Sequence, residues 1–502
     1  MSPTETKTIR RPRLEKAFGL LWWGIVGSGI AIRLAVYLHN RSLWVDEAML
    51  AVNVIDRSYS QLLGRLDLRQ VAPPLLLLTS KLSYALWGQL EYSLRLLPLV
   101  AGCLALYLFA RMTYRLLPNG FGLCAVVLFS LGFESIDWAT NFKHYSLDEL
   151  ATVLVLLATV GWEQFSPRRR LIVAALLPWT IWMSYTSSFL LVGLVLVALA
   201  SWLRKWDRAR LLGLLMLMGS AAAAAASVYM LSMRHSFGHK ALGYIWAASF
   251  PGKPVLPWLG QALINVFGAA CDMSYAPALA LALCVFGALS LPKSDNRPVA
   301  ILAAGTLCSA VLASFVHAYP LAGGRLSIYW APIALLLLAS GLRALHDAFN
   351  LKSLRRFVVA IAGIIAVASV YMLLQQGSTL LVREEMRDVL TALEQHDDGQ
   401  TPILVSAAAN AQFRVYASPK LLRRATYMKG WLLPTSEVYR AWLRAGQPAR
   451  FWLIVTGIDL NRKDALEADL GPFARAVRTI QRGRCAALSV KLLPKGRWPR
   501  AQ

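Results

Sequence analysis

The chain has 502 residues, of which 57% are hydrophobic and 16% charged, with 52 Lys and Arg against 27 Asp and Glu for a formal net charge of +25. Its mean hydropathy is +0.49, and a soluble domain carries about 25% charged residues; the balance excludes a soluble enzyme or a disordered chain and predicts a multi-pass membrane protein. The basic excess lies in short clusters beside hydrophobic stretches, which suits an anionic membrane surface and excludes nucleic acid as the partner.

A bilayer core takes about 20 apolar residues per helix. About eleven stretches qualify on that basis, centred near Ile25, Leu104, Val127, Val155, Leu176, Val195, Leu217, Leu283, Leu307, Leu336 and Ile364. The basic N-terminus runs into a hydrophobic stretch of full membrane length without a small-residue cleavage pattern, so the first span is expected to be a retained anchor. When the spans alternate, TIRRPRLEK, SPRRR, RKWDRAR, LPKSDNR and FNLKSLRR all fall on one side. Basic short loops stay cytoplasmic, which predicts a cytoplasmic N-terminus and an external tail. The expected fold class is therefore an α-helical polytopic domain over residues 1–376, followed by a small external α/β domain over 377–502.

The first external loop, roughly residues 40 to 92, is too long for a simple connector. Asp46 and Glu47 follow Leu43-Trp44 and precede AMLAVNVIDRSYSQLL, an amphipathic run suited to the membrane interface. Two adjacent carboxylates here read in two ways: as a general base or metal ligand, or as charges stabilising the first turn of a helix through its dipole. Further along, Arg69 and Gln70 precede a rigid Pro73-Pro74 step that holds polar groups against the membrane mouth.

Between the third and fourth spans, Glu134, Asp137, Lys143, His144, Tyr145, Asp148 and Glu149 crowd one turn. Singly, each has an ordinary reading as a snorkelling lysine, an interfacial histidine or a capping carboxylate. Together they are costly so close to hydrocarbon and mark a site or a pathway. HAYPLAGGRLSIYWAP then falls at a later external turn, where Gly323-Gly324 permit a tight bend and Arg325 stands at the start of a span with Tyr319 and Tyr329 nearby. An arginine there serves either as an interfacial anchor or as a bidentate phosphate ligand.

Four of the six cysteines, Cys103, Cys124, Cys284 and Cys308, read as small hydrophobes within spans; Cys271 falls near a boundary and Cys485 in the tail, with no disulfide framework or zinc motif. In the tail, REEMRDVLTALEQH reads as an amphipathic helix, and TPILVSAAA and ARFWLIVTG as strands. Without a phosphate loop, nucleophile elbow or paired His ligands, the tail is expected to be a structural or acceptor-facing cap.

The order LWVDEA, APP with KLSYALWG, SLRLLP, YSLDE and GGRLSIYW, closing on an α/β tail, resembles the GT-C membrane glycosyltransferases. Within them it is most similar to the branch of protein O-mannosyltransferases and the lipid A aminoarabinose transferase. The resemblance implies a polyprenyl-phosphate sugar donor, inversion at the anomeric carbon, and a glycan, lipid or protein acceptor at the outer face of a bacterial inner membrane. It assigns Asp46 as general base or acceptor organiser, with Glu47 in support and Asp148 as the second acidic position. Arg325 is implied to bind the donor phosphate. By position only, Lys143 and Arg69 join it as phosphate ligands, and His144, Tyr145, Gln70 and Tyr319 join as substrate-binding residues.

This reading makes no cofactor certain, and a divalent cation on Asp46 and Asp148 stays open. The aminoarabinose transferase has an acidic and a basic residue before the proline, whereas this chain has Gln70-Val71-Ala72-Pro73, which argues against aminoarabinose as the sugar. A transporter or flippase of lipid-linked intermediates, and a noncatalytic envelope scaffold, are the competing expectations. Against the first stands the lack of an inverted repeat.

Overall fold

The computed structural model describes residues 12–235, 246–291, 296–428, 449–457 and 474–493. The expectations for TIRRPRLEK before Pro12 and for the LPKSDNR turn at 292–295 lie outside the described residues. Helix α1 (Pro12–Leu38) is followed by α2 (Val45–Asp56), α3 (Pro74–Trp87), α4 (Leu90–Leu116), and the pair α5 (Gly120–Leu131) and α6 (Phe133–Ala139). Next come α7 (Tyr145–Gly161), α8 (Pro167–Leu176), α9 (Ser187–Lys205), α10 (Arg208–Leu231), α11 (Val255–Ala270), α12 (Pro277–Ser290), α13 (Arg297–Phe315), α14 (Ala331–Ala348) and α15 (Lys352–Leu381).

Among the described residues, eight helices are long and apolar enough to cross a membrane, or up to nine if α5 and α6, bent by 44°, form one span. This corrects the expected eleven. The centres near Leu176 and Leu283 do fall on helices, but these are short: α8, running into a 3-10 turn at Leu177–Trp182, and the 14-residue α12. Apolar composition marks both kinds of helix alike, and only length separates them. Leu256, Ile364, Val367 and Leu374 point outward and are largely exposed, as lipid-facing side chains should be. Inside, α12 and α14 cross closely, because a Cβ on Gly287 or Gly341 would collide with the backbone of the other helix at Leu337 or Leu283.

The run after Asp46 departs from expectation. Instead of lying open at the interface, α2 is buried along most of its length, from Val45 to Val54. It shares a core with Leu62, Leu76, Leu94, Phe142 and Ala411, the last of which belongs to the tail, and so a tail helix covers the face expected to meet lipid.

Helix α15 passes through the expected boundary at residue 376 and ends at Leu381. Beyond it, α16 (Met386–Glu394) buries Met386, Val389, Leu390 and Leu393, one apolar stripe at helical spacing. The stripe packs on a five-stranded sheet of order β2-β1-β3-β5-β4, comprising β1 (Ile403–Val405), β2 (Ala425–Tyr427), β3 (Arg450–Val455), β4 (Ala474–Arg482) and β5 (Cys485–Leu492), with α17 (Asn410–Tyr416) between β1 and β2. Strand β1 runs parallel to β2 and β3, and β5 runs antiparallel to β3 and β4. The expected helix and both expected strands are present, so the tail is a small α/β unit.

Candidate active site

Two neighbouring carboxylates take opposite directions. Helix α1 ends at Leu38, Asn40 turns the chain with φ 53°, and the segment to Trp44 enters α2 extended. Successive helical residues project about 100° apart, so Asp46 and Glu47 cannot face the same groups. Glu47 points inward and is fully buried. Arg95 grips it with two charge-assisted bonds, Nε to Oε1 at 2.8 Å and Nη2 to Oε2 at 2.6 Å. The Phe142 amide donates to Oε1 at 2.5 Å and the Trp44 amide to Oε2 at 3.2 Å. Burial opposes ionisation, yet Arg95 overcomes it by charge and hydrogen bonding, and the Glu47 carboxyl sits below its ordinary value. Every acceptor direction of Glu47 is thus occupied by the protein, which makes it an anchor for α2 rather than a group that meets substrate.

Asp46 faces the other way. Its Oδ2 pairs with Nη1 of Arg325, and both side chains keep solvent access, at 24% and 32%. The Arg325 loop owes its shape to two glycines. Gly324 has φ +68°, and a Cβ on Gly323 would meet the Asn265 carbonyl at 2.6 Å. Tyr319 donates from its hydroxyl to Leu326 O at 3.0 Å and so props this loop. The Arg325 guanidinium also lies 5.4 Å from the Trp246 ring centroid, on its face.

The turn before α7 brings a second cation alongside. Lys143 donates from Nζ to Gln70 Oε1 at 3.0 Å and is almost buried. Burial pulls its ammonium below the ordinary lysine value, Arg325 pulls the same way, and Asp46 and Glu47 oppose them. Lys143 thus lies within electrostatic reach of the Asp46–Arg325 pair. Tyr145 meets Trp138 edge-on and His144 at a tilt, at centroid distances of 4.5 and 4.6 Å. His144 Nε2 approaches Asp148 Oδ2 at 3.7 Å, while His144 Nδ1 and Asp148 Oδ1 are buried without hydrogen-bond partners.

Burial, then Lys143 and Arg325, push the His144 pKa down from 6.5 to about 3, so the imidazole is neutral at physiological pH. The unfolded chain, with its His near 6.5, takes up this proton first as pH falls. His144 therefore contributes stability that is complete above about pH 6.5 and is lost progressively towards pH 3. We expect His144→Gln to flatten the acid limb of melting temperature against pH, measured in detergent between pH 4 and 7. An unchanged acid limb would contradict this.

Other expected site residues separate from this cluster. Gln70 joins it through Lys143, but Arg69 is exposed and lines a surface basin with Arg57, Arg65 and Asp67. Asp137 pairs with Arg41 and Arg383, Glu134 accepts from Trp138 of its own helix, and Glu149 accepts from Ser135 of the neighbouring helix at 2.6 Å, so all three are engaged within the protein. Among the described residues, no group of three or more His, Cys, Asp or Glu side chains gathers to hold a metal ion. Asp46 is taken up by Arg325, and the two orphaned atoms of His144 and Asp148 fall short of a complete donor set.

Sequence reasoning missed Arg95, Tyr185 and Trp246. Arg95 lies in the quoted SLRLLP segment, and an arginine within an apolar helix is itself a signal. Tyr185 donates to Ala72 O at 2.9 Å, beside the Pro73-Pro74 step; nothing in its local sequence distinguishes it.

No family model and no curated protein matches the chain. Among solved structures, ArnT from Cupriavidus metallidurans in the apo state aligns at 14% identity with a TM-score of 0.49, over 93% of this chain and 98% of that one. The same protein bound to undecaprenyl phosphate aligns at 14% identity with a TM-score of 0.48 over the same shares.

Proposed function

We propose that this chain is an integral membrane glycosyltransferase that transfers a sugar from a polyprenyl-phosphate donor to an acceptor hydroxyl at the outer face of a bacterial cytoplasmic membrane. One observation carries the reading: an accessible carboxylate, Asp46, is paired with an accessible guanidinium, Arg325, with the ammonium of Lys143 within electrostatic reach of both. They meet where polar loops leave an apolar helical body. By helix alternation, the basic SPRRR, RKWDRAR and FNLKSLRR segments fall at the opposite ends of the helices, which favours this face as external.

Such a set suits displacement at an anomeric carbon. The acceptor oxygen forms a bond to that carbon, its proton passes to Asp46, and the bond from the carbon to the phosphate oxygen breaks with its electron pair. Polyprenyl phosphate leaves as an anion, with inversion. Since phosphate is a capable leaving group, the protein supplies a base, positioning and compensation for the charge that grows on the phosphate. Arg325 and Lys143 meet that charge, and Gln70 aims Lys143. The resting pair adds an ordering: a donor phosphate competes with Asp46 for Arg325, so donor arrival releases the carboxylate to act as base.

Tyr145, packed against His144 and Trp138, offers an aromatic wall for the sugar, and Asp148 with neutral His144 offers hydrogen-bonding atoms to its hydroxyls. Hydrogen bonds involving charged groups contribute about 1.5–3 kcal/mol, which is about 10- to 100-fold in affinity. Arg325→Ala is therefore expected to weaken donor binding by that factor, measured with a labelled polyprenyl-phosphate sugar and purified protein. Unchanged donor affinity would remove Arg325 from the phosphate site. Sugar and acceptor identity belong to the same assay, run with lipid, polysaccharide and protein fractions as acceptors.

A further inference from the structure

Beyond the structural or acceptor-facing cap expected of it, the tail sets several buried polar side chains on the few residues that lead into Asp46. From Arg41 to Trp44 the chain forms neither helix nor strand, and Val45 opens α2, so the amides of residues 42–45 have no helical partners. The Ser42 amide donates to Glu385 Oε2 at 3.0 Å, the Leu43 amide to the Tyr416 hydroxyl at 2.7 Å, and the Val45 amide to Glu384 Oε2 at 2.9 Å. Gln412 donates from Nε2 to Leu43 O and to Glu384 Oε2, both at 3.0 Å. Tyr416 in turn donates to Glu91 Oε1 at 2.9 Å, and Arg387 bridges Glu91 and Asn40 O at 2.8 Å each. Gln412 is fully buried and Glu384 and Glu385 nearly so. The one remaining amide, Trp44, is taken by Glu47.

From this we infer that the C-terminal α/β domain is a positioning device for the reaction, with Glu384, Glu385, Gln412 and Tyr416 fixing the backbone of residues 42–45 and through it the placement of Asp46. The helical body holds carbonyls of this segment, through Arg95, which donates to Arg41 O and Ser42 O, but the amides of Ser42, Leu43 and Val45 are held from the tail. Each buried amide left without a partner costs about 1–3 kcal/mol. These four side chains come from two stretches of the tail, residues 384–385 and 412–416. Because α17 and the chain leading into α16 both pack on the sheet, the segment inherits the order of that domain. A misplacement near 1 Å in a reacting group costs about 10²-fold in rate, so a domain that never touches substrate sets the turnover number.

The inference rests on the transferase reading and on Asp46 as its base, and the experiment separates the two. Tyr416→Phe keeps the ring and removes only the hydroxyl that meets Leu43 and Glu91; Glu384→Gln keeps the shape and weakens the acceptor. In the full chain in detergent, both are expected to speed hydrogen exchange of the amides at 42–45 by at least about 10-fold, with exchange of the helical body unchanged. Turnover is expected to fall by about 10²-fold with donor affinity unchanged, and Glu384→Asp is expected to recover part of it.

Wild-type exchange guards against a variant that fails to fold. There the amides of Ser42, Leu43 and Val45 should exchange together with those of β1 and β5, and exchange at the rate of an open loop would overturn the inference. Faster exchange with normal turnover, while Asp46→Asn is inactive, would also overturn it. Normal turnover by Asp46→Asn would instead strike the transferase reading and leave the exchange result to judge the clamp.

Discussion

Replacing Asp46 with asparagine is expected to lower sugar transfer by about 10²–10⁴-fold, the span that a positioned general base supplies, while the protein stays folded. The two halves of this expectation come from different observations. Asp46 is partly exposed, and its ion partner Arg325 is partly exposed too; such pairs contribute about 0–1 kcal/mol to stability, so the substitution leaves the fold intact. The carboxylate is also the only member of its pair able to accept a proton, because arginine remains charged throughout. Donor binding is expected to survive or tighten, since the variant no longer holds Arg325 in competition with phosphate. A variant that bound donor poorly but turned over normally at saturation would reverse these roles. Turnover and donor affinity measured on the same purified preparation distinguish the outcomes.

The largest effect on stability is expected at Arg95. Glu47 and Arg95 are buried on both sides, at 0% and 3% side-chain exposure, and Arg95 also donates to Arg41 O at 2.6 Å and Ser42 O at 3.1 Å. Removing one partner of a buried pair leaves an uncompensated charge and costs about 3–5 kcal/mol. Arg95→Met is therefore expected to lower the melting temperature steeply, and adding Glu47→Gln to recover part of the loss because the orphaned carboxylate is gone. Arg95→Met with an unchanged melting temperature would show that Glu47 finds other compensation. Catalysis should suffer alongside, since α2 carries Asp46 one residue before its anchor.

How far the sequence discloses this arrangement depends on the length scale of each interaction. Hydrophobic stretches identify the helical body because solvation in lipid acts on each segment by itself. Even α12 and the α8 region are marked as apolar, though not as short. Asp46, Lys143 and Arg325 are legible as charges beside hydrocarbon, and the tail is legible through its alternating helix and strand patterns. The division of labour between Asp46 and Glu47 is not: it follows from their angular separation on a helix and from Arg95, which is distant in sequence. Arg69 shows the converse. Next to Gln70 it appears a member of the site, but its backbone turns with φ 55° and the side chain leaves for the basin of Arg57 and Arg65. The grip of the tail on residues 42–45 spans more than three hundred positions, and no local pattern announces it.

The measurement that tests the account most directly is release of polyprenyl phosphate by the purified wild-type chain and its Asp46→Asn variant, each incubated with a panel of labelled polyprenyl-phosphate sugars and a membrane extract as acceptor source. The account predicts release by the wild type with one donor, label appearing in one acceptor fraction, and loss of both in the variant. Folded wild-type protein that releases polyprenyl phosphate from none of the donors, or a variant that releases it as fast as the wild type, would contradict it.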